Sequence, residues 1–506
     1  MAFEPVYDVV RLSSRKRIAS AQTVAEARLL PAPGTVIARV LSITAETKVG
    51  ASEVFAGEAR YGGRVDFTVL FVDVDGKNHT VTHSAEFSDK IESPQIGAGM
   101  QASFSGEVLD TDVVNVSSSE IKLAAVVEIR LDADESEEIK CLVGGGTGIY
   151  GNSEEIEYSV FRASGTGTAN LSSTIADVKA TDILMSEYRA IVTTRTAGVD
   201  SVTINGLIIG DILGETEDGL AVSYRTEIPF SEEFPADGAR QGDLVIARAC
   251  VVGAPRIEAD EDGSAIISDY ELTISYAVYG DGKTEVVSDV FSATNELMVT
   301  SESATVCKPR LNATVTDRVE GSVTLEVNMP IADNILGMTA AKVTVSNAAA
   351  VADDEMLVEG VVGGNVIYYC AEANSENSVA VELPFSLKVA VPGLRENDEV
   401  YVCAEVVAVT LKIRRGNEID VRADVAFEIY AAGSSTKCVI TDLSEGEARI
   451  IPSSAISVHV ARPGETLWDV AKATGSTPEL VMLQNPDLEL PLKGGERVLV
   501  YRYLSK

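Results

Sequence analysis

The sequence predicts a mainly all-β protein, three tandem β-sandwich or barrel-like repeats followed by one small α+β domain of βααβ order. Three observations predict it. Runs in which apolar and polar residues alternate recur along most of the chain, separated by Asp-Gly, Gly or Asn turns, as half-buried strands require. A phrase ending in Phe-Ser occurs three times in the same sequence of landmarks, which marks an internal repeat. From Ile456 the texture changes to strand, two short capped helices, strand.

Length and charge limit what such a chain can do. Its 506 residues exceed the roughly 100 to 200 of one domain, so several cores are expected. With a single tryptophan, Trp468, those cores are aliphatic. The 41 basic and 77 acidic residues give a net charge of -36, which repels phosphate backbones and anionic lipid. Neither nucleic acid nor membrane insertion is therefore expected. The same charge keeps a large β protein soluble and discourages edge-to-edge pairing. Cys141, Cys250, Cys307, Cys370, Cys403 and Cys438 lie far apart, with no C-x-x-C pair, and are expected as buried free thiols. The amino-terminal residues lack the apolar stretch of a secretory signal, and no run of about 18 apolar residues occurs, so a cytoplasmic location is expected.

The first repeat, 1–140, carries the pattern most clearly. Val65, Phe67, Val69 and Phe71 alternate up to Asp75-Gly76, a type I′ turn signal, and a second strand then runs to Phe87-Ser88. Gly57 precedes the hairpin, Gly99 follows it, and an alternating strand from Ile121 closes the unit. The second repeat, 145–281, has Gly206, Asp218-Gly219, Phe230-Ser231, Gly242 and a strand from Ile266 in the same order. In the third, 282–433, the landmarks are Gly360, a polar turn from Asn374 to Asn377, Phe385-Ser386, Asn397 and a strand from Ile419. Starts correspond at Tyr7, Tyr158 and Ser288, and 434–455 is expected as a linker. Three diverged copies suit a scaffold that offers several similar surfaces to partners or to further copies of itself.

No catalytic group can be assembled in this body. His79 and His83 lie four strand residues apart, about 13 Å, too far to share a metal. The turn from Asp73 to Gly76 resembles the start of a calcium loop, but position twelve is Ser84 instead of Glu, and the turn at 259–263 is equally ordinary. Gly144 to Gly148 has no following Lys-Ser/Thr and reads as a linker. No catalytic residue, metal ligand or cofactor is expected, and the chain is not expected to be an enzyme.

The domain at 456–503 follows from its punctuation. Val458 and Val460 form a strand, Pro463-Gly464 turns, and Thr466 caps a helix with Asp469 three residues on. Leu467, Val470 and Ala471 supply its buried stripe, and Gly475 ends it. Thr477 caps a second helix with Pro478 at its first position, Leu480, Val481 and Leu483 as apolar residues and Asn485-Pro486 as its stop. Val498 and Val500 return as a strand.

Val458, Val460, the run Gly464-Glu465-Thr466-Leu467-Trp468, Ala471, Gly475, Asn485-Pro486, Leu492 and Gly495, in that order, resemble a LysM domain. Glu465 stands where the family usually has Asp, and Val500-Tyr501 replaces an Ile-Pro pair. The resemblance implies that N-acetylglucosamine-containing glycans lie between the turn Gly464, Glu465, Thr466, Leu467 and the loop Asn485, Pro486, Asp487, Leu488. Backbone amides and short polar groups there can bond acetamido and hydroxyl groups over an apolar floor at Leu488. Thr466 and Asn485 read equally well as helix caps, and Trp468 as a packing residue.

Repeated β units ending in one such domain, with the phrases EIPFS and ELPFS, resemble the SipL family of clostridial spore-coat morphogenesis proteins. That resemblance implies a scaffold or adaptor on the mother-cell side of the forespore. Its terminal domain would dock a coat ATPase of the SpoIVA type or forespore glycan, in place of external wall glycan. Two other functions fit the same residues: a peptidoglycan-binding or N-acetylglucosamine-glycan-binding protein, and a phage tail-type structural component.

Overall fold

The computed structural model describes residues 4–501 apart from 99, 101, 145–147, 261–263, 416 and 450–455. Strand dominates it, as the alternation requires, and the two helices lie in the last fifty residues. Strands β1 (Val6–Leu29), β2 (Ile37–Phe55), β3 (Glu58–Asp73), β4 (Asn78–Glu92), β5 (Ala102–Ser117) and β6 (Glu120–Gly144) form two antiparallel sheets, β1-β6-β5 and β2-β3-β4. The sheets face each other, and their edges meet where β1 runs beside β4 and β2 beside β5. The middle strands supply the core: Val65, Phe67, Val69 and Phe71 of β3 against Leu123, Val127, Ile129 and Leu131 of β6, all about 0% exposed. Each such side chain contributes roughly 2 kcal/mol by leaving water.

The same arrangement is built by β7 (Ile149–Ala176), β8 (Ala180–Ala197), β9 (Ser201–Thr216), β10 (Ala221–Pro235), β11 (Leu244–Ala259) and β12 (Ala265–Ser292), with sheets β11-β12-β7 and β10-β9-β8. It appears again in β13 (Asn295–Thr324), β14 (Asn334–Ala352), β15 (Glu355–Cys370), β16 (Ser375–Ala390), β17 (Glu399–Ile413) and β18 (Glu418–Ala448), with sheets β13-β18-β17 and β14-β15-β16. The Phe-Ser landmarks have one physical cause. Phe87, Phe230 and Phe385 pair in register with Gly63, Gly206 and Gly360. Each ring lies over its glycine, where a Cβ would overlap the ring and the neighbouring carbonyl of Lys48, Ile191 or Thr344. Gly57 is not the counterpart of Gly206 and Gly360. It holds a left-handed turn before β3 at the position that Asp200 and Asp354, also left-handed, hold before β9 and β15.

The three sets touch along a common axis. Leu70, Leu213 and Ile367, at matching positions of β3, β9 and β15, join one buried cluster. The hydroxyls of Thr80 and Ser223 donate across the seams to the carbonyls of Leu184 and Leu336. Beyond the cores the first and last strands of each set continue as two-stranded ribbons, 6–14 with 135–144, 149–160 with 280–292 and 295–308 with 433–448. These ribbons pack together as a stalk. Cys141, Val286 and Val439 meet in one cluster, and Leu142, Val287 and Ile440 in the next. Lys308 and Lys437 of the third ribbon pair with Glu157 and Glu154 of the second at 3.3 and 3.2 Å.

The ribbons displace two expected boundaries. The cut at 281/282 falls inside β12, and the expected linker 434–455 is strand as far as Ala448, while 450–455 lie outside the described residues. Gly280 and Gly282 suggest a turn, but they make room for the Arg162 guanidinium and the Tyr158 ring to cross a continuous strand. Ser288 therefore belongs to the end of β12 and Tyr158 to the middle of β7, whereas Tyr7 lies at the start of β1. The hairpin turns differ too. Gly76 and Gly219 have positive φ, but Asp75 and Asp218 do not, and Asp73 and Thr216 pair with Lys77 and Leu220 across a longer turn than type I′. Gly99, Gly145 to Gly146 and the tip of the 259–263 turn lie outside the described residues. The cysteines are free, but only Cys141, in the stalk, and Cys370 are buried; Cys307 and Cys403 are half-buried and Cys250 and Cys438 exposed.

Candidate functional site

The C-terminal module stands at the tip of the stalk. It consists of β19 (Ile456–Val460), α1 (Leu467–Thr474), α2 (Pro478–Gln484) and β20 (Arg497–Tyr501), with β19 and β20 antiparallel. Thr466 caps α1 through a complete capping box. Its hydroxyl accepts from the Asp469 amide, and the Asp469 carboxylate accepts from the Thr466 amide at 2.8 Å. Hydrogen bonds from the Thr466 hydroxyl, at 2.6 Å, and from the Thr466 amide hold the Asp469 carboxyl below its usual range. Gly475 ends α1 in the left-handed conformation, and Thr477 with Pro478 starts α2. Val470, Ala471, Val481, Leu492, Val498 and Val500 are buried, and Phe291 of β12 joins this core. Leu480 and Leu483, expected in the apolar stripe of α2, are exposed, the latter at 77%, since this seven-residue helix turns only Val481 fully inward. Val458 and Val460 likewise face outward, leaving Ser457 and His459 half-buried on the inner side of β19.

The eight expected groove residues fall on two loops whose apolar members, Leu467 and Leu488, rest on this one core. Their polar groups are mostly engaged within the module. Asn485 donates through Nδ2 to the carbonyls of Val481 (2.8 Å) and Leu499 (2.7 Å) and accepts from the Leu499 amide (2.8 Å), which ties α2 to β20. The Glu465 carboxylate accepts from the Arg462 amide at 2.7 Å and faces the His459 ring at 3.0 Å; the amide and the ring hold it below its usual range. Thr466 is engaged in the cap. Gly464, with positive φ, Pro486 and Asp487 are exposed. What the loops offer a ligand is a shallow strip of backbone, the Asp487 carboxylate and the flanks of Leu467 and Leu488.

Trp468 points elsewhere. Its indole Nε1 donates to Asp289 Oδ2 at 2.7 Å, and its ring meets Phe291 edge-on with centroids 5.1 Å apart. Asp289, Phe291 and Arg449, the body residues on which the module sits, escaped sequence reasoning because the SDVF phrase that contains two of them resembled the start of a repeat. A cleft of about 290 Å³ lies beside this contact, lined among others by Asp289, Phe291, Glu296, Cys438, Arg449 and Lys472; it contains none of the eight groove residues.

His79 and the acidic turn have local partners. His79 Nε2 lies 2.8 Å from Asp73 Oδ2, with its ring stacked on Phe71. Asp73 Oδ1 accepts from the amides of Asp75 and Lys77, and these contacts hold its carboxyl low. Among the described residues no cluster of three His, Cys, Asp or Glu side chains is arranged to hold a metal, and no helix is long and apolar enough to cross a membrane.

Two segments, 36–116 and 334–414, match the family model described as SipL, SPOCS domain. Each covers the four strands from β2 to β5 or from β14 to β17, the part of a unit that lies between its two ribbon-forming strands. No curated protein and no solved structure matches the chain. Within its first and third units the chain thus carries two segments of the SipL SPOCS type, which supports a SipL-like protein and suggests a sporulation-related one.

Proposed function

We propose that the chain is a non-enzymatic scaffold or adaptor of spore-coat assembly, acting on the mother-cell side of the forespore. Its terminal module is read as a LysM domain that docks a coat morphogenetic ATPase of the SpoIVA type. The observation that carries this reading is the pair of SipL-type SPOCS segments in a body whose ribbon ends form a stalk with the module at its tip. A display function suits that arrangement: the ribbons have apolar contacts with one another, so their length serves to place the module away from the cores.

A protein ligand is preferred to a glycan because Asn485, Glu465 and Thr466, the side chains best suited to bonding acetamido groups, already have partners in the module. Glycan binding remains the second reading, favoured by the exposed strip at Gly464, Pro486 and Asp487 beside Leu467 and Leu488. A fluorescent fusion expressed from the native promoter tests the proposal. Expression confined to sporulating mother cells, with a shell of signal around the forespore that turns diffuse on removal of 457–501, is the expected result. Expression in vegetative cells with signal at the wall would overturn it.

A further inference from the structure

Helix α1 is the face of the module turned towards the body. Trp468 and Lys472 lie one turn apart on it, and both reach one carboxylate: Trp468 Nε1 donates to Asp289 Oδ2 at 2.7 Å, and Lys472 Nζ lies 2.6 and 2.9 Å from the two Asp289 oxygens. Phe291, two residues along the same strand, supports the indole and is itself packed on Tyr150 with centroids 5.2 Å apart. From the other side Arg449 donates to the carbonyl of Ser292 at 3.0 Å and to that of Lys472 at 3.3 Å, and pairs with Glu296. The contact thus joins the end of the second ribbon, the end of the third and both turns of α1.

We propose that Asp289 is a latch that fixes the module on the stalk in one orientation and withholds the Trp468–Lys472 face of α1 from partners. Both oxygens of one side chain hold both α1 residues, so removing a single carboxylate loosens the face and leaves Val470, Ala471, Val481 and Val498 intact, although Phe291 also belongs to their cluster. The two acidic-to-basic and acidic-to-indole bonds lie partly in solvent, with Asp289 and Lys472 side chains 38% and 43% exposed, which suits a contact that opens without unfolding either part. The latch builds on the docking reading above, since withholding a face matters only if the module has a partner. Its mechanics, however, are measurable without one.

Trp468 is the only tryptophan of the chain, so its emission reports on the latch alone. In the full-length protein, Asp289→Ala is expected to shift that emission to the red and to raise its acrylamide quenching constant about two- to threefold, as local opening exposes the ring. Lys472→Ala, which leaves the indole bond in place, is expected to do less. Hydrogen exchange separates release from unfolding: α2 and β20 should stay protected in Asp289→Ala. Unchanged emission and quenching would overturn the latch. So would lost protection in α2 and β20, because Asp289 would then hold the module's fold and not its position. Failure of a SpoIVA-type ATPase to bind either form would instead count against the docking reading and leave the quenching result standing.

Discussion

Three phenylalanines lying on three glycines explain the most regular phrase in the sequence. At Gly206 a methyl group would overlap both the Phe230 ring and the Ile191 carbonyl, and backbone cannot move aside as a side-chain tip can. Gly206→Ala is expected to destabilise the protein by about 1–3 kcal/mol, the usual range for overpacking, read as a lower urea midpoint. Unchanged stability would mean that the ring is free to move. The landmark was legible because Phe, with 12 in the chain, is rare enough to stand out, but Gly57, the expected counterpart of Gly206 and Gly360, is not the glycine under the ring: Gly57 and Gly63 are both followed by strand residues, and only the register of β3 with β4 distinguishes them. At Asn485 a helix-stop signal was equally plain, but not its second task of holding β20. Asn485→Ala removes three neutral hydrogen bonds, at roughly 1 kcal/mol each, and should speed hydrogen exchange in β20 while β19 and the body keep theirs.

Strands of 24 to 31 residues are the unexpected elements, since ordinary strands run to about ten. Alternation revealed their core-facing halves, from Ile121, Ile266 and Ile419. Their ribbon halves contain Ser, Gly and Glu on the outer face and small apolar residues on the inner one, a pattern that reads as linker until three ribbons cover one another. Val286 is 1% exposed at the centre of that packing, among Val10, Cys141, Ile156 and Val439. Val286→Asp would bury an unpaired carboxylate and is expected to cost about 3 kcal/mol or more locally. Hydrogen exchange should then accelerate in 149–160 and 432–448, while β3 and β15 remain protected. Equal acceleration throughout would show that the stalk and the cores unfold as one.

At the scale of the whole molecule, the all-β class was readable from alternation alone, but the way the units meet was not, because their seams combine a shared apolar cluster with single polar contacts between residues far apart in sequence. Arg189 of β8 donates to the Val406 carbonyl of β17, and Lys342 of β14 to the Leu109 carbonyl of β5 at 3.0 Å. Glu187 lies in the same region. Its carboxylate accepts from the Ala340 amide and faces Arg189, Asp211 and Glu46, and burial pushes its pKa up to about 7 against an ordinary 4.5. A raised carboxyl stabilises the folded form fully below the unfolded value, and that contribution disappears as pH rises through about 7. Urea midpoints should therefore fall between pH 5 and pH 8, and Glu187→Gln should flatten that fall. A steeper profile in the variant would contradict the assignment.

Under the proposed function, this body serves to present its terminal module to a protein. Immobilised SpoIVA-type ATPase, offered the full-length chain and a chain lacking 457–501, tests it most directly when each is repeated with chitotetraose in excess. The full-length chain is expected to bind with or without the glycan, and the shortened chain not to bind. Binding that survives loss of the module, or that the glycan abolishes, would contradict it.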